Sequence, residues 1–266
     1  MGVCGAAVAT VISQAVSALW VVRFLVGPSS ELRLKKAFFR LDRRLLWPAV
    51  ALGASPFVMQ STESLLTVTF NVSLQKYGGD LAVGAMTILT SVMQMMQMPL
   101  LGLMQGAQPI LSFNYGAGNS KRMKEVIRYS VLIGAVFVCC VWVVVQLSPR
   151  TVVYLFNHKP ELVEMTAWAL RIYMAVGFTA AFQWGFQQSF VALGEAKISL
   201  FLALERKIIL LIPLILILPR FFEDKLFAVF LAEPVADFLA AATTTVLFFF
   251  RFRRITRNMQ QKSVEP

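Results

Sequence analysis

LAVGAMTILTSVMQMMQMPLLGLMQGAQPILSF, Leu81–Phe113, contains no Asp, Glu, Lys or Arg. A helix that crosses a bilayer needs about 20 mostly apolar residues, whereas a buried strand runs about 4–8. The stretch therefore reads as a membrane-spanning helix. Six more apolar runs lie along the chain: Gly2–Val26, Leu46–Leu74, Val126–Leu147, Leu162–Leu193, Ile198–Leu218 and Leu226–Phe250. A membrane β-barrel would show short segments of alternating hydrophobicity instead. The expected fold is all-α and integral to the membrane, with about seven transmembrane helices.

Composition points the same way. The 266 residues are 58% hydrophobic and 15% charged, with a mean hydropathy of +0.68. Soluble domains are roughly 45–50% apolar and about 25% charged. The formal net charge is +11. In a soluble protein such an excess suggests nucleic acid, but no binding-module signature accompanies it here, and no nucleic-acid partner is expected. The three cysteines, Cys4, Cys139 and Cys140, lie in apolar runs, and the single His158 lies in a loop. No Cys/His spacing suits a metal, and no nucleophile–base pair suits an enzyme. The first 26 residues lack the basic start of a signal peptide and are too long for its apolar core.

The loops set the orientation. The first carries Arg33, Lys35, Lys36, Arg40, Arg43 and Arg44; the third carries Lys121, Arg122 and Lys124; the tail carries Arg251, Arg253, Arg254 and Arg257. The loops between them are poorer in cations. Positive loops stay in the cytoplasm. The N-terminus is thus expected outside and the C-terminus inside, in a multi-pass protein of the cell inner (plasma) membrane. Four regions are expected: a lone helix at 1–27, a basic cytoplasmic linker at 28–45, a six-helix bundle at 46–250 and a basic tail at 251–266. In the linker, Leu32, Leu34, Phe38, Phe39 and Leu41 interleave with the basic residues, as in a helix lying on anionic lipid headgroups.

An ionisable group at membrane depth costs about 2.5–3.5 kcal/mol or more on insertion scales, and usually faces a cavity or a partner. Glu63 sits near the middle of its run, with Gln60 and Thr67 one turn either side and Asn71 two turns on. It reads as a carboxylate for a proton, a sodium ion or a cationic substrate, or as a structural acid bonded to nearby hydroxyls. Glu233 and Asp237 lie one turn apart on the last helix, flanking Pro234. They could ligate a cation or neutralise Arg206 or Lys207. Gln94 and Gln97, and Gln183 and Gln187, stand among Met and aromatic residues. As a set they could line a wet, adaptable path; singly, each could be interhelical glue. Proline and glycine interrupt several runs, at Gly53 and Pro56, Pro99 and Gly102, Pro109, Gly177 and Pro213. Broken helices are a feature of transporters that alternate access.

PLLGLMQGAQPILSFNYGAGNSKRMKEV, Pro99–Val126, resembles the signature of the MATE (multidrug and toxic compound extrusion) transporters in their MepA-like bacterial branch, on Gly106, Gln108, Pro109, Asn114, Tyr115, Gly116 and Gly118 followed by a basic turn. Gly5–Ala18 resembles the family's sixth helix, Leu210–Pro219 its eleventh and Leu231–Ala241 its twelfth. The resemblance implies helix six plus the six-helix C-terminal lobe of a twelve-helix fold, with helices one to five missing. It further implies export of cationic, amphipathic small molecules by H+ or Na+ antiport, those ions being the only cofactors, with Glu63 at the position of an implicated acid on helix seven. The acid that some branches carry on helix ten is replaced here by Gln183 and Gln187. The turn after Phe113 suits tight backbone, since Asn114, Gly116, Gly118 and Asn119 favour positive φ.

Three readings follow. The chain is a partial or truncated multidrug exporter that works with a complementary N-terminal lobe; or it is an inactive or regulatory membrane fragment that pairs with another half. A lipid-linked oligosaccharide flippase is disfavoured, because its channel would present basic residues where the central groups here are mostly acids.

Overall fold

The computed structural model describes residues 2–27 and 43–262. The amphipathic linker expected at 28–45 lies outside the described residues, save its last three, which open a helix. The described residues are helical nearly throughout: α1 (Gly2–Val26), α2 (Arg43–Gly116), α3 (Ser120–Leu147), α4 (Pro149–Tyr154), α5 (Pro160–Tyr173), α6 (Ala180–Ala192), α7 (Ala196–Leu204), α8 (Ile212–Ile217) and α9 (Lys225–Lys262). The chain divides into two compact units, Met1–Ala54 and Ser55–Pro266. In the first, α1 keeps Val11, Leu19 and Trp20 exposed, as a helix solvated by lipid would.

The seven apolar runs fall on α1, the two arms of α2, α3, α5 with α6, α7 with α8, and α9. One boundary is Gly79 (φ 63, ψ −161), where α2 breaks into arms 43–78 and 80–116. A left-handed φ costs glycine nothing. Gly78 sits tight beside it: a Cβ there would lie 2.8 Å from Leu226. Among the described residues, four helical stretches are each long and apolar enough to cross a bilayer, and α5 with α6, bent by 51°, makes a fifth if the pair is taken as one span. The count is below seven because both arms of α2 fall in one 57-residue stretch and the charged sixth run is cut into pieces. The last helix exceeds its expected end and continues to Lys262, so residues 251–262 of the expected tail extend α9.

Two apolar clusters fill the larger unit. One gathers Phe70, Leu74, Leu89, Met96, Leu170 and Phe230; the other is aromatic, with Phe186 stacked on Phe248 at 4.3 Å. α9 threads both. Small residues let the helices approach. A Cβ on Gly185 of α6 would stand 2.8 Å from Val131 Cγ2 of α3, and one on Gly134 of α3 would stand 2.9 Å from Leu100.

The sixth run carries a π segment, Glu205–Leu211, between α7 and α8. It precedes Pro213, whose missing N–H leaves the carbonyl four residues back without its usual partner. Arg206 in this segment clamps α9: Nε donates to Asp237 Oδ1 (2.6 Å) and Nη2 to Glu233 Oε1 (2.7 Å).

Two substitutions test this packing. Gly185→Ala is expected to lower the melting temperature of the detergent-solubilised protein, overpacking costing about 1–3 kcal/mol. Gly102→Ala is the control, since a Cβ there meets nothing within 4 Å; equal melting of both variants would contradict the close approach of α3 and α6. Arg206→Met strands two buried carboxylates, a loss of roughly 3–5 kcal/mol. Thermal unfolding unchanged by that substitution would show that the clamp does not hold α9.

Candidate functional site

The chain reverses at Gly79, so residues 63–71 of the first arm and 86–94 of the second line one cleft of about 370 Å³, closed at one side by Tyr173 from the end of α5. Its apolar lining is Leu66, Phe70 and Met86; its polar lining is Glu63, Thr67, Asn71, Thr87, Thr90, Ser91 and Gln94. The hydroxyls have a common chemistry. Thr67 donates to the carbonyl of Glu63 (2.9 Å), Thr87 to Val83 (3.1 Å), Thr90 to Met86 (2.8 Å) and Ser91 to Thr87 (3.0 Å). A hydroxyl has one donor hydrogen and two acceptor lone pairs. With each hydrogen turned back to its own helix, what these groups present outward is acceptor oxygen.

Glu63 opens onto this cleft with its side chain 49% exposed, and it accepts a hydrogen bond from Lys207 Nζ, whose side chain is only 11% exposed. The neighbouring residue, Arg206, is committed to Glu233 and Asp237 on α9. Glu233 is 4% exposed; one of its oxygens, Oε2, is buried without a hydrogen bond, as is Oε2 of Glu205. Tyr173, also buried, borders Glu233 and stacks obliquely near Phe70, ring centroids 6.3 Å apart.

The break between α5 and α6 is satisfied by α3. Trp142 Nε1 donates to the Met174 carbonyl (2.8 Å), and Gln146 Nε2 to the carbonyls of Met174 (3.1 Å) and Arg171 (3.2 Å). These partners keep unpaired backbone out of the apolar interior where α5 ends at Tyr173.

The residues singled out in the sequence are only partly brought together. Glu63, Asn71 and Gln94 share the cleft. Gln60, one turn from Glu63, is exposed and does not line it; nor does Gln97. Gln183 is buried in α6, and Gln187 reaches the Ser199 carbonyl of α7 at 3.4 Å, so these two amides do not extend the path formed by Gln94. Glu233 and Asp237 are engaged by Arg206. In the turn after Phe113 only Gly118 takes positive φ (72°); Asn114 donates from its side chain to the Ile110 carbonyl, and Asn119 caps α3 by accepting from Arg122 N at 3.1 Å. Sequence reasoning passed over Tyr173, Trp142 and Gln146. The last two carried a faint signal, polar side chains one turn apart in a run otherwise rich in valine.

The MatE family profile matches residues 56–217. The multidrug export protein MepA of Staphylococcus aureus is 25% identical over 257 residues, 96% of this chain and 56% of the relative; that of Staphylococcus haemolyticus is 23% identical over 243, 90% and 53%. The chain thus spans a little over half the length of these curated relatives. Among solved structures, the MATE multidrug transporter DinF-BH, solved as a complex, superposes with a TM-score of 0.79 at 33% identity, covering 96% of this chain and 57% of that one. An inward-facing MATE transporter of the MOP superfamily superposes at 0.84 with 21% identity, covering 97% and 59%, a likeness of fold. The profile match takes in the Gly79 reversal, the cleft and the charged π segment, more than half of the sequence: the chain belongs to the MatE family.

Proposed function

We propose that this chain is the C-terminal lobe, with its preceding helix, of a secondary active exporter that moves cationic amphipathic compounds out across the plasma membrane in exchange for inward H+ or Na+. The carrying observation is the half-exposed carboxylate of Glu63 in a cleft whose hydroxyls have turned their hydrogens away. Such a surface offers hydroxyl lone pairs and one negative charge beside the amides of Asn71 and Gln94, which suits a cation, while Leu66, Phe70 and Met86 suit its apolar body. A carboxylate can hold a proton or a cation but not both at full strength, which is the exchange that antiport needs. The multidrug export proteins and the multidrug transporter DinF-BH among its relatives support this reading. The relatives are nearly twice as long, so a complementary N-terminal lobe would supply the opposing wall. With the N-terminus outside and the C-terminus in the cytoplasm, the basic loops all lie inside.

The reading is tested by co-expressing the chain with such a lobe in a bacterial strain deficient in efflux. Glu63→Gln is expected to raise steady-state accumulation of tetraphenylphosphonium towards the level of cells lacking the chain; accumulation equal to that of the unaltered protein would remove Glu63 from the mechanism. For orientation, a green fluorescent protein fused after Pro266 should fluoresce and an alkaline phosphatase fused there should be inactive. The opposite pair of results would invert the topology.

A further inference from the structure

Lys207 has no part in the function proposed above, yet it occupies the acid on which that function rests. We infer that Lys207 is a built-in competitor: its ammonium holds Glu63 in the resting cleft, and a cationic substrate binds by displacing it, so that Lys207 sets the affinity threshold of the site. The inference rests on the reading of Glu63 as the acid that receives substrate.

Four observations carry it. First, the pair is lopsided. Glu63 is 49% exposed and faces the cleft, whereas Lys207 is 11% exposed. A cation entering the cleft therefore meets the carboxylate directly and contends with the buried ammonium for it. Second, Arg206 and Lys207 are adjacent but serve different helices, Arg206 the acids of α9 and Lys207 the first arm of α2. With Arg206 clamping α9, movement of Lys207 need not disturb the bundle. Third, the cluster has spare negative charge. The ion pairs join three acids, Glu63, Glu233 and Asp237, to two bases, Arg206 and Lys207, leaving one acid in excess. An arriving cation meets a deficit of positive charge. Fourth, the displaced ammonium has a destination. Glu233, held by Arg206 through Oε1 and bordered by the Tyr173 hydroxyl, is a second carboxylate within electrostatic range of Glu63. The lysine stem is four flexible carbons ending in a point charge, suited to exchange between two acceptors in a way that the planar fork of arginine is not.

Competition of this kind lowers apparent affinity by the fraction of time the site is free. A lysine in place nine-tenths of the time weakens binding about tenfold. Equilibrium dialysis of labelled tetraphenylphosphonium against the purified full chain in nanodiscs reads this directly. Lys207→Met and Lys207→Gln are expected to bind about tenfold more tightly than the unaltered protein, and Lys207→Arg no more tightly. Glu63→Gln and the double variant Glu63→Gln/Lys207→Met should both bind weakly and alike. The anion of the same shape, tetraphenylborate, should show no gain on loss of the lysine; an equal gain for both ions would mean that the shorter side chain merely enlarged the cleft, and would overturn the inference. So would unchanged or weaker cation binding by both neutral variants while Glu63→Gln binds poorly, and that outcome would leave Glu63 as the binding acid. If Glu63→Gln binds as well as the unaltered protein, the functional reading of the cleft falls as well.

Discussion

A charge placed in hydrocarbon has to be neutralised by the protein itself, and in this bundle the task falls to two consecutive residues of one π segment. Arg206 takes Glu233 and Asp237, which stand one turn apart on α9, in two hydrogen bonds of 2.7 and 2.6 Å. The guanidinium fork matches two carboxylates on one helix face better than any point charge could. That commitment decides where the next residue goes. Consecutive residues of a helical segment point in different directions, so Lys207 is carried away from α9 to the first arm of α2. One segment thus ties three elements together, and the cleft is bounded by the acid that this arrangement leaves half open.

Helix breaks are the second condition. Each releases backbone groups that have no water to turn to within an apolar interior. At the break after Tyr173 the Met174 carbonyl accepts from Gly177 N and from two side chains of α3. The reversal at Gly79 exploits the one residue type free to take φ of 63°. The π segment stands just ahead of Pro213, which has no N–H to return. Two of these three breaks shape the cleft: the reversal at Gly79 brings its two long walls together, and the end of α5 delivers Tyr173 to its side. The interruptions therefore shape the cavity rather than merely relieve packing.

Much of this was legible in the sequence, and the reason is periodicity and cost. Long apolar runs have one physical solution in a membrane, so the helical character of the runs from Gly2–Val26 to Leu226–Phe250 could be read, while the early start of α3 at Ser120, the far end of α9 and the breaks within the fifth and sixth runs could not. Glu63 was visible because an acid in such a run is expensive, and Asn71 and Gln94 were visible because amides are. Partnership was not legible. The spacing of Glu233 and Asp237 shows that they share a face, but it does not say whether Arg206 or Lys207 meets them, since that depends on the twist of a π segment which no local pattern announces. Gln183 and Gln187 share a face as expected, yet that face turns into α6 packing and towards α7. Tyr173 escaped notice because its role comes entirely from where α5 stops. The profile match and the fold likeness to MATE transporters agree with the residues at Pro99–Val126 that carried the resemblance.

The chemistry of the cleft also bears on breadth of recognition. Sharp selectivity comes from donors and acceptors fixed in complementary array, where a missing partner leaves a buried polar group unpaired. Here the hydroxyl hydrogens are consumed internally, the flanking apolar residues include the adaptable thioether of Met86, and the single exposed charge is a carboxylate that attracts without prescribing a donor geometry. Little in such a site would be left unsatisfied by exchanging one cation for another of similar size. On the proposed reading, what it would demand is enough positive charge density to compete with an ammonium already in place. If the cleft takes cations as proposed, a wall built in this way would filter by charge first and by shape only loosely, with the lysine behind the acid setting the strength of that filter.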